Sequence, residues 1–234
     1  MNKQESTRYA IFYLPEEKSK LWKLGSAWLG YDSILIDHVK QPEYPSLSEH
    51  TGRPAKYGFH ITVKAPFYLK KEYQEQQLID QFKDYTAKQK SFDCAGLMID
   101  DKGDFIALRP VSSQQANHHS LDPLHILAER MVTFFDEYRA PMKPSDRATR
   151  IKGLNQDKIE LLDNWGYPHI FQFYKPHFTL SENINESQKK LILPSAIEYF
   201  ADELNKPLPI SSLCLLKQVN NGNFFVLERQ ALGA

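Results

Sequence analysis

The sequence predicts an α+β fold: a bilobed, pseudo-twofold duplication with antiparallel sheets, helices on their outer faces and a central cleft. Three observations predict it. Strand-like and helix-like stretches follow the order strand, helix, hairpin, and that order occurs twice. A His-x-Thr triplet lies on the first strand of each repeat, His60-Ile61-Thr62 and His177-Phe178-Thr179. The spacing also agrees, with 43 positions from His60 to the hairpin residue Gly103 and 45 from His177 to Gly222.

The elements follow in order. RYAIFYL (8–14) is rich in aromatic residues and stops at Pro15, which reads as a strand. SKLWKLGSAWLG (19–30) carries Leu21, Leu24 and Trp28 at helical spacing. A loop rich in Pro, Ser and Gly runs over 41–56. GFHITVKAPFYL (58–69) is a strand pattern broken by Pro66, and 72–89 is an amphipathic helix through Leu78, Ile79, Phe82 and Tyr85. Residues 92–111 read as two strands flanking Asp101-Lys102-Gly103. In the second repeat, 175–184 is a strand, and 187–204 is a helix that Pro194 interrupts or restarts. Residues 211–232 are two strands around Asn221-Gly222. Between the repeats, about 121–166, two helical patterns flank a polar loop with basic residues. All 234 residues read as one domain, with repeats at about 58–111 and 175–232.

Bulk properties narrow the function classes. Lys plus Arg equals Asp plus Glu at 29 each, so the basic excess of a long-polyanion binder is missing. The two cysteines, Cys94 and Cys214, are far apart; they read as buried small residues of a protein in a reducing cytoplasm. No apolar run reaches the roughly 18 residues of a membrane span, and MNKQESTRYA lacks the apolar core of a signal peptide. A soluble, cytoplasmic protein without membrane partner is expected. His118, His119 and His125 are the densest histidine group, but no carboxylate stands at ligand spacing, so they read as loop and helix-start residues.

The triplets carry chemistry. Residues i and i+2 of a strand share a face, so each His points with its Thr. Lys64 joins the first pair at i+4, while Lys175 and Ser181 flank the second. With 8 His and 7 Thr, random placement gives about 0.2 such triplets, so two at equivalent places in a repeat are not coincidence. Cleaving a phosphodiester needs a base for the attacking water or hydroxyl and an acid for the departing oxygen. Two imidazoles near pKa 6.5 can fill both roles. Threonine hydroxyls can donate to the non-bridging oxygens, and the two lysines can add positive charge. No metal or cofactor is needed. Which His is base and which acid is not legible in a pseudo-symmetric sequence. Tyr57 and Tyr174 each precede their His by three residues and are candidate cleft walls; Arg8 is a candidate phosphate contact.

These residues resemble the two-histidine (2H) phosphoesterase superfamily, and more narrowly a branch associated with phosphonate-metabolism operons. RYAIFY, AWLGYD, RPAKYGFHITVKAPF, FFDEYRAP and NWGYPHIFQFYKPHFTL carry the likeness across nearly the whole chain. The resemblance implies acid and base roles for His60 and His177, phosphate contacts from Thr62 and Thr179, and a small cyclic or linear phosphodiester as substrate, often at a nucleotide or ribose terminus. RNA-end processing of the 2′,5′-ligase kind and a non-catalytic phosphate-binding module are the competing expectations.

Overall fold

The computed structural model describes residues 6–111 and 122–233. The first repeat is preceded by β1 (Thr7–Tyr13), α1 (Lys20–Leu29), β2 (Tyr31–Asp32), β3 (Asp37–His38) and the short α2 (Gly52–Ala55). The repeat itself comprises β4 (Ile61–Phe67), α3 (Glu75–Thr86), β5 (Phe92–Cys94), β6 (Gly96–Asp100) and β7 (Ala107–Val111). The connecting helices are α4 (Pro123–Phe135), α5 (Pro144–Arg150) and α6 (Gln156–Trp165). Then come β8 (Phe178–Thr179), α7 (Glu186–Leu204), β9 (Leu208–Ile210), β10 (Ser212–Val219) and β11 (Phe224–Ala231). After each His-x-Thr strand, one helix and three strands follow in the same order.

The fold is mixed α+β. Its principal sheet has seven strands in the order β11-β10-β1-β4-β8-β7-β6, with every registered pair antiparallel. The two His-x-Thr strands, β4 and β8, are neighbours at its centre and share a single registered pair, Ile61↔Phe178. A hairpin crosses to each half: β6–β7 pairs with β8, whereas β10–β11 reaches β4 through β1. A small β5–β9 ladder pairs the matching strands of the two repeats.

Helix boundaries follow local chemistry. Ser19 caps α1 by accepting from the Trp22 amide, and Gly30 ends it in the left-handed conformation at φ 78°. Asn185 and Gln188 form a capping box that starts α7. Three expectations are corrected. Pro194 does not interrupt α7, which runs unbroken from Glu186 to Leu204. Pro194 and Lys190 both face solvent, where water can satisfy the carbonyl that the proline leaves without a donor. The polar basic loop contains α5, started by Pro144 at its first position. The last hairpin turns on Asn220 and Asn221, at φ 51° and 59°, one residue earlier than expected; asparagine tolerates this region better than most side chains.

The core fixes the central strands from beneath. Phe59 and Phe178, the residues before His60 and after His177, stack with centroids 4.3 Å apart and planes 7° apart. Both are fully buried, and Phe200 of α7 extends the stack. α1 approaches through Gly25, whose ideal Cβ position lies 2.2 Å from the Phe59 ring, a space no side chain can share. Burying two large rings beside the two histidines leaves the imidazoles little freedom to separate. No helix among the described residues is long and apolar enough to cross a membrane.

Candidate active site

Both histidines stand one residue before their strands, at the seam where β4 meets β8. The rings are held alike. His60 Nδ1 lies 2.8 Å from the Gly58 carbonyl, and His177 Nδ1 lies 2.7 Å from the Lys175 carbonyl. A carbonyl only accepts, so each Nδ1 carries the proton and each neutral ring presents a bare Nε2. His60 Nε2 accepts from the Thr62 hydroxyl at 3.1 Å, confirming that the first pair shares a face. Thr179 pairs with Ala107 of β7 and stays partly exposed.

The surroundings differ. His60 stacks on Phe12 of β1, with centroids 3.8 Å apart, and Tyr57 lies nearly parallel at 6.0 Å. Burial lowers the His60 pKa to about 4; the Gly58 bond opposes the fall and the nearby His177 adds to it. His177 has Phe105 at 5.2 Å. Burial also lowers its pKa, the Lys175 carbonyl opposes, and the charges of Arg109 and Asp100 act in opposite directions. Burial lowers the His169 pKa, with Lys158, His177 and Lys175 contributing, so a third histidine lies within electrostatic reach of the seam.

The other expected residues divide. Tyr57 stacks on His60 and on Phe224, 5.3 Å away. Arg8 donates to Gln218 Oε1 at 2.8 and 2.5 Å and lies over Phe224 at 5.7 Å, one ring further out. Lys175 is exposed and lines a cavity of about 190 Å³ with Arg109, His125 and Tyr174. Tyr174 is only 8% exposed, so it borders that cavity as a largely buried ring, and its hydroxyl donates to the Thr62 carbonyl at 2.8 Å.

Lys64 does not share the face of His60 and Thr62. Thr62 pairs with Phe12 and Lys64 with Ile11, so Val63 is an extra residue, a bulge that breaks the two-residue alternation. The ammonium instead turns to α4, donating to the Val132 carbonyl at 3.1 Å and lying 3.6 Å from Asp136. Burial lowers its pKa to about 8 against the pull of Asp136. Arg139 clamps the same carboxylate at 2.7 and 3.1 Å and donates to the Asn164 carbonyl. Cys94 and Cys214 are buried free thiols. His125 donates Nε2–H to the Tyr174 carbonyl at 3.1 Å, whereas His118 and His119 lie outside the described residues. Phe12, Phe105, Arg109, Asp100 and His169 are neighbours that the sequence did not mark. Only Arg109 had a visible signal, an isolated charge on a hairpin strand.

Two curated relatives are similar over almost the whole chain. Both are called ribose 1,5-bisphosphate phosphokinase PhnN. The protein from Janthinobacterium sp. (strain Marseille) is 33% identical over 236 residues, 97% of this chain and 51% of its own length. That from Laribacter hongkongensis (strain HLHK9) is 31% identical over 224 residues, 95% of this chain and 51% of its own. The chain therefore spans about half the length of these curated relatives. Among solved structures, one described as a phosphoesterase aligns over 98% of this chain and 99% of its own, at 10% identity and a TM-score of 0.42. E. coli LigT complexed with 3′-AMP aligns over 99% and 100%, at 11% identity and 0.40. The profile of a family described as proteins of unknown function, DUF1045, matches residues 62–226, and the chain belongs to that family.

Proposed function

We propose that this chain is a metal-independent phosphoesterase that hydrolyses a small, cyclic phosphodiester on a ribose. The observation that carries this reading is the matched pair of imidazoles, each pinned at Nδ1 by the carbonyl two residues before it and each presenting Nε2 at one seam.

His60 is the base and His177 the acid. The more strongly depressed imidazole, His60, is neutral near pH 7 and so has Nε2 free of a proton, as a base requires. Burial holds the His177 pKa below its ordinary value, with Arg109 acting the same way and the Lys175 carbonyl and Asp100 opposing. The acid role therefore needs the negative charge of the bound phosphate to favour the protonated ring. A water oxygen attacks phosphorus while His60 Nε2 takes its proton. His177, which rests with its proton on Nδ1, takes a second proton at Nε2 as the anionic phosphate binds. The bond from phosphorus to the ester oxygen breaks as that Nε2–H protonates the departing oxygen. Two electron pairs move, one proton enters the protein and one leaves, and solvent exchange resets both rings. Thr62 has a single hydroxyl proton, so it must leave His60 Nε2 to donate to a phosphate oxygen, freeing the base as substrate arrives. Thr179 supplies the matching donor from β8, and Tyr57 offers a ring against which a ribose or base can lie.

The relatives' name supports ribosyl phosphates as the substrate class, since the chain corresponds to half of proteins named for ribose 1,5-bisphosphate. Purified protein in EDTA is expected to open ribose 1,2-cyclic phosphate or a 2′,3′-cyclic nucleotide to the monoester, followed by ³¹P NMR. Tight binding of both compounds without product would replace this reading by a non-catalytic phosphate-binding module. Turnover only after a metal is restored would overturn the metal-independent mechanism.

A further inference from the structure

We propose that Tyr174 is a positioning residue, whose hydroxyl sets the distance between the two His-x-Thr motifs by bonding the backbone of the opposite motif. The proposal rests on the acid–base reading above and deepens it.

The ladder between β4 and β8 is unusually short for a seam that must place two catalytic groups. β4 runs for seven residues, but only Ile61 has a partner in β8. Continuing that antiparallel register would lay residues 174–177 beside 62–65. Pro176 stands in that stretch and has no N–H to donate, and no strand forms there. The carbonyl of Thr62, the first β4 residue beyond the registered pair, is instead taken by the Tyr174 hydroxyl at 2.8 Å. A side chain replaces the missing backbone rung.

Its placement ties the bond to catalysis. Thr62 carries both the carbonyl that Tyr174 holds and the hydroxyl that meets His60 Nε2. Tyr174 stands three residues before His177 and one before Lys175, whose carbonyl holds His177 Nδ1. One bond thus couples the frame that orients the base to the frame that orients the acid. The tyrosine is itself anchored: its carbonyl accepts from His125 of α4, and its buried ring packs edge-on to that imidazole at 5.1 Å. Tyr57, at the equivalent place in the first repeat, faces its own histidine instead, so the two tyrosines have different roles.

The test is Tyr174→Phe, which keeps the buried ring and removes one oxygen. With a cyclic phosphodiester as substrate, kcat should fall about 10- to 100-fold while KM changes less than about threefold, because small displacements of reacting groups are costly. Imidazole NMR gives a second readout that needs no turnover. Loosening the seam should move the His60 titration midpoint upward by about half a pH unit or more, since desolvation and the neighbouring His177 both hold it down. A thermal melt establishes that the variant is folded. If His60→Ala abolishes turnover but Tyr174→Phe keeps wild-type kcat and an unmoved His60 midpoint, the positioning role is wrong and the acid–base reading stands. If the wild type turns over nothing, the acid–base reading fails, and the His60 midpoint alone decides whether Tyr174 holds the seam.

Discussion

Alanine at His60 or at His177 is expected to lower kcat by about 10²–10⁴-fold, the range a positioned acid or base supplies. The loss should fall on kcat more than on KM, because the Thr62 and Thr179 hydroxyls and the Tyr57 ring remain to hold the substrate. The two substitutions should not multiply. An acid and a base serving one phosphorus act as a unit, so the double variant should cost little more than the worse single one. Multiplying losses would mean that the two rings serve separate steps. Folding must be checked for each variant, and the controls differ. His60 stacks on Phe12 with centroids 3.8 Å apart, so alanine leaves a hole there, while the Phe105 ring lies 5.2 Å from His177.

Protein stability should fall as pH drops from about 6.5 to about 4, with His60 as the largest contributor among the described histidines. Its folded pKa lies near 4, below the ordinary 6.5, so within that window the unfolded chain takes up a proton that the folded chain refuses. Stability therefore rises with pH through the window and is complete above about 6.5. At 1.36 kcal/mol per pH unit the contribution is on the order of 3 kcal/mol. His177 and His169, also lowered by burial, act in the same direction. Urea unfolding at several pH values separates His60 from the carboxylates: the His60→Gln variant should show a flatter dependence between pH 4 and 6.5. Parallel curves for variant and wild type would show that His60 is not held neutral by its surroundings.

The residues proposed for the site stand out in the sequence because they recur. Two His-x-Thr triplets in two similar runs of elements marked the seam, and the i to i+2 rule correctly put Thr62 beside His60. Features that depend on one particular break in regularity were not legible. Nothing in the letters around Val63 announces the bulge that turns Lys64 toward Asp136. Pro194 reads as a breaker, and only its solvent-facing position makes it tolerable inside α7. Tyr174 and Tyr57 look equivalent in sequence, yet the short β4–β8 ladder leaves a carbonyl for one of them alone. Phe12 lies 48 positions from His60 and reaches it only through the β1–β4 pairing.

The most direct measurement is a crystal structure with the monoester product of a 2′,3′-cyclic nucleotide. The mechanism predicts the phosphate at the β4–β8 seam, with His60 Nε2 and His177 Nε2 each about 3 Å from a different phosphate oxygen and the Thr62 hydroxyl rotated from the imidazole to the phosphate. A phosphate held elsewhere, for instance by Arg109 and Lys175, with His60 still bonded to Thr62, would contradict it.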